Sequence, residues 1–144
     1  MRKTLLALAA VACVVPALAL AATPKKDSSY SYCDTKDTCP LSFNTSKNGH
    51  KIKMLSMYND CAAVPPRDGY PNIRVKDTGK FKKSGKVIDF TGAELTFTIK
   101  GKFKKPKKAV GTYEIDSSKS SKPPFGPCDS DPQKFVAKWK GEVQ

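Results

Sequence analysis

Apolar and polar residues alternate along most of the chain beyond residue 40. In the clearest run, Leu95, Phe97, Ile99 and Phe103 share one parity, and threonine or lysine takes the positions between them. This period of two places one face of a β-strand in the core and the other in water. Shorter runs of the same kind are separated by Gly, Pro, Asn and Asp, and none shows helical spacing over three turns. The pattern predicts strands at 41–45, 52–58, 73–76, 79–82, 87–90, 94–103, 109–115 and 134–140.

These runs predict an all-β fold, an antiparallel β-sandwich of seven or eight short strands. The inward positions of the strands define the expected core. Its expected members are Leu41, Phe43, Ile52, Leu55, Ile73, Val75, Phe81, Ile88, Phe90, Leu95, Phe97, Ile99, Phe103, Tyr113, Ile115, Phe135 and Trp139.

The first 21 residues predict a secretory signal peptide. Arg2 and Lys3 precede an apolar run over 5–15, and an A-x-A cleavage site ends at Ala21. The apolar run is too short for a membrane-spanning helix. We therefore expect a secreted, extracellular protein whose mature chain has no transmembrane segment.

Cys13 leaves a second processing route open. Residues 10–13 loosely match the lipobox of bacterial lipoproteins, although Ala10 stands where that pattern prefers leucine. This route would give a lipid-anchored protein instead of a freely secreted one.

Cleavage after Ala21 would leave 123 residues, which fits one domain. Residues 22–32 are polar and show no apolar period, which is typical of a flexible leader. The sequence therefore predicts a signal peptide at 1–21, a flexible leader at 22–32 and a single β-sandwich domain at 33–144.

Four cysteines follow the signal segment: Cys33, Cys39, Cys61 and Cys128. An even number in an exported domain predicts two disulfides, for which three pairings are possible. We favour Cys33 with Cys39 and Cys61 with Cys128, because two cysteines six positions apart close a local ring readily.

Positive charge is the strongest chemical signal. The chain from Ala22 carries 24 basic and 13 acidic residues, and 22 of the bases are lysine. Such a surface attracts polyanions, but lysine in place of arginine disfavours specific nucleic-acid recognition. Residues 76–108 hold 11 lysines against three acids. The expected polyanion site comprises Lys80, Lys82, Lys83, Lys86, Lys100, Lys102, Lys104, Lys105, Lys107 and Lys108.

We therefore expect a monomeric, non-enzymatic module whose lysine-rich face binds an anionic polysaccharide or another polymer of the cell envelope. A face that only keeps the protein soluble is the alternative. The sequence Gly-Lys-Phe-Lys-Lys occurs at both 79–83 and 101–105. It indicates either a duplicated binding hairpin or two equivalent strands with phenylalanine inward and lysine outward.

Catalytic and metal-binding groups do not stand out in the sequence. His50 is the one histidine, and cysteines in disulfides leave too few ligands for zinc. Glu114 and Asp116 share a strand face, but acids on a basic surface balance charge without any catalytic role. We expect no enzyme activity, no cofactor and no bound metal.

The Pro65-Pro66-Arg67 segment gives an alternative function. It follows Cys61, and a rigid loop that presents an arginine can inhibit a trypsin-like protease. The alternative prediction is therefore a secreted protease inhibitor that presents this loop.

The second half of the chain resembles a poorly characterised family of small secreted bacterial β-sandwich proteins. The residues that carry the resemblance are the two Gly-Lys-Phe segments, Ala109-Val-Gly-Thr112, Cys128-Asp-Ser130 and Phe135-Val-Ala-Lys138. The resemblance implies a sandwich fold and export. It supplies no activity and no catalytic residue.

Overall fold

The computed structural model describes residues 22–36, 38–60, 62–66, 71–88, 92–117 and 130–143. These residues form an all-β structure, as predicted, and none of them lies in a helix, so the described chain contains no helix that could cross a membrane. The strands are β1 (Ser28–Tyr32), β2 (Leu41–Thr45), β3 (Lys51–Tyr58), β4 (Ala63–Val64), β5 (Ile73–Arg74), β6 (Lys80–Ile88), β7 (Glu94–Lys105), β8 (Lys108–Ser117) and β9 (Gln133–Glu142).

The strands form one antiparallel sheet in the order β4, β3, β2, β1, β9, β8, β7, β6, and β5 pairs with β3. The sheet curves so far that it nearly closes on itself. β5 pairs with β3 near one end of the sheet, and a turn leads from it directly to β6 at the other end. Within this turn the Lys76 N–H donates to the Lys80 carbonyl oxygen at 2.9 Å. The described strands therefore belong to one continuous curved sheet.

Four aromatic rings fill the space between opposite walls of this sheet. Phe43 of β2 contacts Phe81 of β6 and Phe103 of β7, with ring centroids 6.0 and 6.1 Å apart. Tyr30 stacks on Phe43 at 5.2 Å and meets Phe103 edge-on at 5.4 Å. Each such pair contributes about 0.5 to 1.5 kcal/mol beyond the burial of its area. The cluster therefore joins strands that share no backbone hydrogen bonds.

The expectation of a flexible leader at 22–32 does not match the structure. Residues 28–32 form β1, which lies between β2 and β9 near the middle of the sheet order. Tyr30 is fully buried, and the Ser28 N–H donates to the Thr45 hydroxyl at 3.1 Å. The strand was missed because it is short and serine-rich, with only Tyr30 and Tyr32 alternating with serine.

The segments predicted as two strands, at 79–82 and 87–90, belong to one strand, β6. Its partner β7 is continuous, so Gly85 pairs with Phe97 and Val87 with Leu95 without a break. Every second residue counted from Phe81 faces inward, so Val87 is buried and Ile88 faces outward with 46% of its surface exposed. The prediction of Ile88 as a core residue is therefore wrong, and Phe90 lies outside the described residues.

The disulfide between Cys33 and Cys39 is present and closes the connection from β1 to β2. The second predicted bridge falls on Cys61 and Cys128, which lie outside the described residues. The signal segment and Cys13 lie outside them too.

Candidate functional site: a lysine-rimmed groove

The two Gly-Lys-Phe segments pair with each other. β6 and β7 run antiparallel, so Lys80 lies directly opposite Lys102 and Phe81 lies directly opposite Gly101. The two copies are thus related by an approximate twofold axis through the lysine pair. Both phenylalanines are buried and the lysines alternate with them on the outer side of the strands, which agrees with two equivalent strands and leaves a binding role for the repeat untested.

The glycines of the repeat make room for this pairing. A Cβ on Gly101 would lie 2.5 Å from Cζ of the Phe81 ring. Gly79 has a φ of 72°, which favours glycine, and its carbonyl oxygen accepts a hydrogen bond from the Phe103 N–H at 3.0 Å. Any larger residue at either position would displace a core phenylalanine or the backbone.

The same arrangement continues into the next two strands. Gly111 of β8 lies opposite Gly101 on one side and opposite Phe135 of β9 on the other. A Cβ on Gly111 would overlap the carbonyl oxygen of Lys100. One inward row therefore runs phenylalanine, glycine, glycine, phenylalanine across four strands, and its backbone lies between two outward rows of side chains.

These two outward rows carry the charge. The first row runs Lys80, Lys102, Val110, Val136 from β6 to β9, and the second runs Lys82, Lys100, Thr112, Lys134. Lys80 thus lies directly opposite Lys102, and at the next outward position Lys82 lies directly opposite Lys100. Like charges in directly opposite positions destabilise a sheet.

An open groove of about 710 Å³ lies over both rows, and we call it the basic groove. Its floor is the backbone of the row between them, with the aliphatic stems of lysine and the two valines as walls. No aspartate or glutamate is among the described residues that line it. Its lysines are Lys76, Lys80, Lys82, Lys100, Lys102 and Lys134.

Four of the ten lysines predicted as a polyanion site line this groove, and six lie elsewhere. Lys86 forms an ion pair with Glu94 at 2.8 Å. The ammonium group of Lys107 lies 4.2 Å from the centroid of the Trp139 ring, which is a cation–π contact. Trp139 was predicted as a core residue and is only partly buried. Lys83 is exposed because β6 is an edge strand, and Lys104, Lys105 and Lys108 lie at the end of the β7–β8 hairpin.

Sequence reasoning missed two lysines of the groove, Lys76 and Lys134. Lys134 reaches it because β9 pairs with β8, so that Lys134 lies opposite Thr112. The alternation of Phe135 and Ala137 with lysines did indicate that Lys134 faces outward. The order of the strands, which no local pattern gives, was the missing information.

A second cavity, of about 500 Å³, is lined by tyrosines and aspartates, among them Tyr32, Tyr58 and Tyr113. Tyr113 is 3% exposed, and its hydroxyl donates to the Tyr58 carbonyl oxygen at 3.2 Å. Burial raises the pKa of Tyr113 to about 12, with smaller contributions from the neighbouring tyrosines and from Asp34 and Asp60. This cavity therefore has the opposite electrostatic character to the basic groove.

Other candidate groups do not assemble into a site. His50 is exposed, and its backbone N–H donates to the side-chain oxygen of Asn48 at 3.1 Å. A carboxylate oxygen of Asp116 accepts a hydrogen bond from the Ser130 N–H at 2.9 Å. Within the described ranges, no group of three or more His, Cys, Asp or Glu side chains is placed to hold a metal ion. Arg67 lies outside the described residues, so the inhibitor loop stays a prediction.

The chain matches no protein-family model, no curated protein and no solved structure. The resemblance to small secreted bacterial β-sandwich proteins therefore stays a prediction, and the argument for function depends on the groove itself.

Proposed function

We propose that this protein is an exported, non-enzymatic module that binds anionic polymers of the cell surface through the basic groove. Acidic polysaccharide is the class of ligand that fits best. The observation that carries this proposal is that lysines lie directly opposite each other at two positions across β6 and β7: Lys80 with Lys102, and Lys82 with Lys100.

Such an array is unfavourable for the isolated sheet and favourable for an anionic ligand. Neighbouring strands are about 4.8 Å apart, so four ammonium groups are held within reach of one polyanionic segment. No carboxylate from the described lining residues competes for them. A bound carboxylate or sulfate would relieve the repulsion between the lysines, and the groove gives the polymer an open path.

Lysine suits this kind of ligand. Its ammonium group is a flexible point charge, whereas arginine gives fixed, bidentate recognition. A polymer with repeated, mobile anionic groups needs charge density more than fixed geometry. Binding of this kind depends on salt, because the Debye length falls from about 30 Å at about 10 mM salt to about 3 Å at about 1 M.

The test compares two variants of equal net charge. The groove variant carries Lys80→Gln, Lys82→Gln, Lys100→Gln and Lys102→Gln. The control variant carries Lys→Gln at four exposed lysines outside the groove: Lys26, Lys36, Lys47 and Lys51. Affinity for dextran sulfate and alginate is measured by isothermal titration calorimetry, with uncharged dextran as the control ligand.

We expect the groove variant to bind at least about tenfold more weakly than the control variant. Four exposed charge contacts of about 0.5 kcal/mol each total about 2 kcal/mol, and 1.4 kcal/mol corresponds to a factor of ten. Equal losses in the two variants would show that net charge alone drives binding. Affinity that does not change between low and high salt would also contradict the proposal.

A further inference from the structure

The basic groove contains an apolar patch that a purely hydrophilic polyanion would not use. Val110 of β8 and Val136 of β9 lie directly opposite each other on the outer face of the sheet. Val136 is 42% exposed. The two valines continue the row that begins with Lys80 and Lys102, so one row changes from two ammonium groups to two hydrocarbon side chains.

Lysines surround this valine pair. Outward side chains alternate along a strand, so Lys134 and Lys138 flank Val136 on β9, and Lys108 precedes Val110 on β8 by two positions. Lys102 lies opposite Val110 on β7. Their aliphatic stems can lie along the same surface while the ammonium groups stay in water. The patch is therefore apolar at its centre and cationic around its edge.

We propose that the basic groove binds an anionic lipid, with its phosphate or carboxylate head group held by the lysines and its acyl chain lying over Val110 and Val136. This inference rests on the proposed function, since the same lysines hold the anion. It adds that the recognised unit of the cell surface carries a hydrocarbon chain. The charge of the lysine rim and the exposed valine pair at its centre are complementary to the two parts of such a molecule.

The row also has a suitable length. Four strands span three inter-strand spacings, which is about 14 Å. Half of that length is valine and the rest is lysine stem. An extended alkyl chain of moderate length can lie across the row with one side covered. A fully buried methylene group strengthens binding about fourfold, so a half-covered one should strengthen it about twofold.

The experiment uses butyl, hexyl and octyl phosphate at concentrations below those at which they form micelles. Octyl glucoside is the uncharged control. The variant is Val110→Thr with Val136→Thr, which keeps the branched side chains that favour a strand and replaces one methyl group of each valine with a hydroxyl group. The matched control is Val143→Thr, at another exposed valine. Binding is measured by isothermal titration calorimetry, and dextran sulfate is titrated into every protein.

The wild type and the Val143→Thr control should bind tighter by about twofold for each added methylene group. The double variant should show a smaller increment and keep its affinity for dextran sulfate. Equal affinity for butyl and octyl phosphate, or an unchanged increment in the double variant, would overturn the lipid proposal. Equal affinity for octyl glucoside and octyl phosphate would overturn it as well. Failure of the wild type to bind dextran sulfate would instead refute the proposed function.

Discussion

The hydroxyl group of Tyr30 donates a hydrogen bond to the carbonyl oxygen of Pro106 at 2.6 Å, across 76 positions of the chain. Tyr30 is in β1, and Pro106 lies in the tight connection between β7 and β8. The same hydroxyl accepts from the Lys25 N–H at 2.8 Å. This contact ties the N-terminal strand to the hairpin whose strands carry half of the basic groove.

Tyr30→Phe should destabilise the fold by about 1 to 2 kcal/mol, because it removes both hydrogen bonds and leaves the ring in place. Urea unfolding followed by circular dichroism measures this change. Tyr32→Phe is the control, because Tyr32 is only partly buried, and should change stability by less than about 0.5 kcal/mol. Equal effects of the two substitutions would show that the Pro106 contact contributes nothing specific.

The lysine array should lower the stability of the unliganded protein. Lys102→Thr removes one of two directly opposed lysines and introduces a residue that favours strands. We expect this variant to be more stable than the wild type by about 0.5 kcal/mol at low salt. Thermal unfolding at low and high salt measures the difference, which should shrink as salt rises.

Lys134→Thr is the control for that measurement, since Lys134 lies opposite Thr112 and not opposite another lysine. It should change stability less than Lys102→Thr does. A wild type whose melting temperature does not depend on salt would contradict the repulsion argument.

The Gly111 position should tolerate no side chain. A Cβ there would overlap the backbone of β7, which cannot move aside as a side chain can. We expect Gly111→Ala to destabilise the protein by about 3 kcal/mol or more, at the upper end of the usual cost of overpacking. Chemical denaturation measures this loss.

Gly101→Ala is the informative comparison. The nearest atom to its added Cβ is the end of the Phe81 ring, at 2.5 Å, and a backbone oxygen lies at 2.9 Å. We expect a smaller loss than at Gly111, partly recovered by adding Phe81→Leu. If the second substitution worsens the loss, the ring is not the source of the conflict.

Local alternation was sufficient to predict most of the sheet. The strand from Glu94 to Lys105 was evident because Leu95, Phe97, Ile99 and Phe103 all keep the period of two. β1 was missed because only two tyrosines, Tyr30 and Tyr32, mark it in a serine-rich segment. Ile88 was assigned to the wrong face because a break between strands was expected after residue 82, so its side was not counted from Phe81. The continuous pairing with β7 keeps the alternation of inward and outward residues from Phe81 to Ile88.

The candidate site divides in the same way. Outward lysines on β6 and β7 were predictable from their alternation with Phe81 and Phe103. The directly opposed pairs were not, because they depend on register, and neither was the valine patch, which depends on the neighbouring positions of β8 and β9. Sequence pattern thus indicates which face a residue takes, and pairing decides which residues become neighbours on that face.

The pKa of Tyr113 gives a prediction for alkaline pH. Burial raises this pKa from an ordinary value of 10 to about 12 in the folded state. Between these values the unfolded chain loses the tyrosine proton and the folded chain keeps it, so the folded state binds more protons and stability falls as pH rises. The contribution is complete below about pH 10 and is lost as the pH approaches 12.

The pH dependence of stability sums over every ionisable group, so the wild type alone is not informative. The comparison is with Tyr113→Phe, which has no hydroxyl proton to lose. This variant keeps the aromatic ring, whose centroid lies 6.4 Å from that of Phe135. The stability advantage of the wild type over this variant should decrease by about 2 to 3 kcal/mol between about pH 9 and about pH 12. Each unit by which the pKa differs between the folded and unfolded states corresponds to about 1.4 kcal/mol. Urea titrations at several pH values measure the difference, and an advantage that stays constant with pH would show that the Tyr113 hydroxyl ionises in the fold as easily as in water.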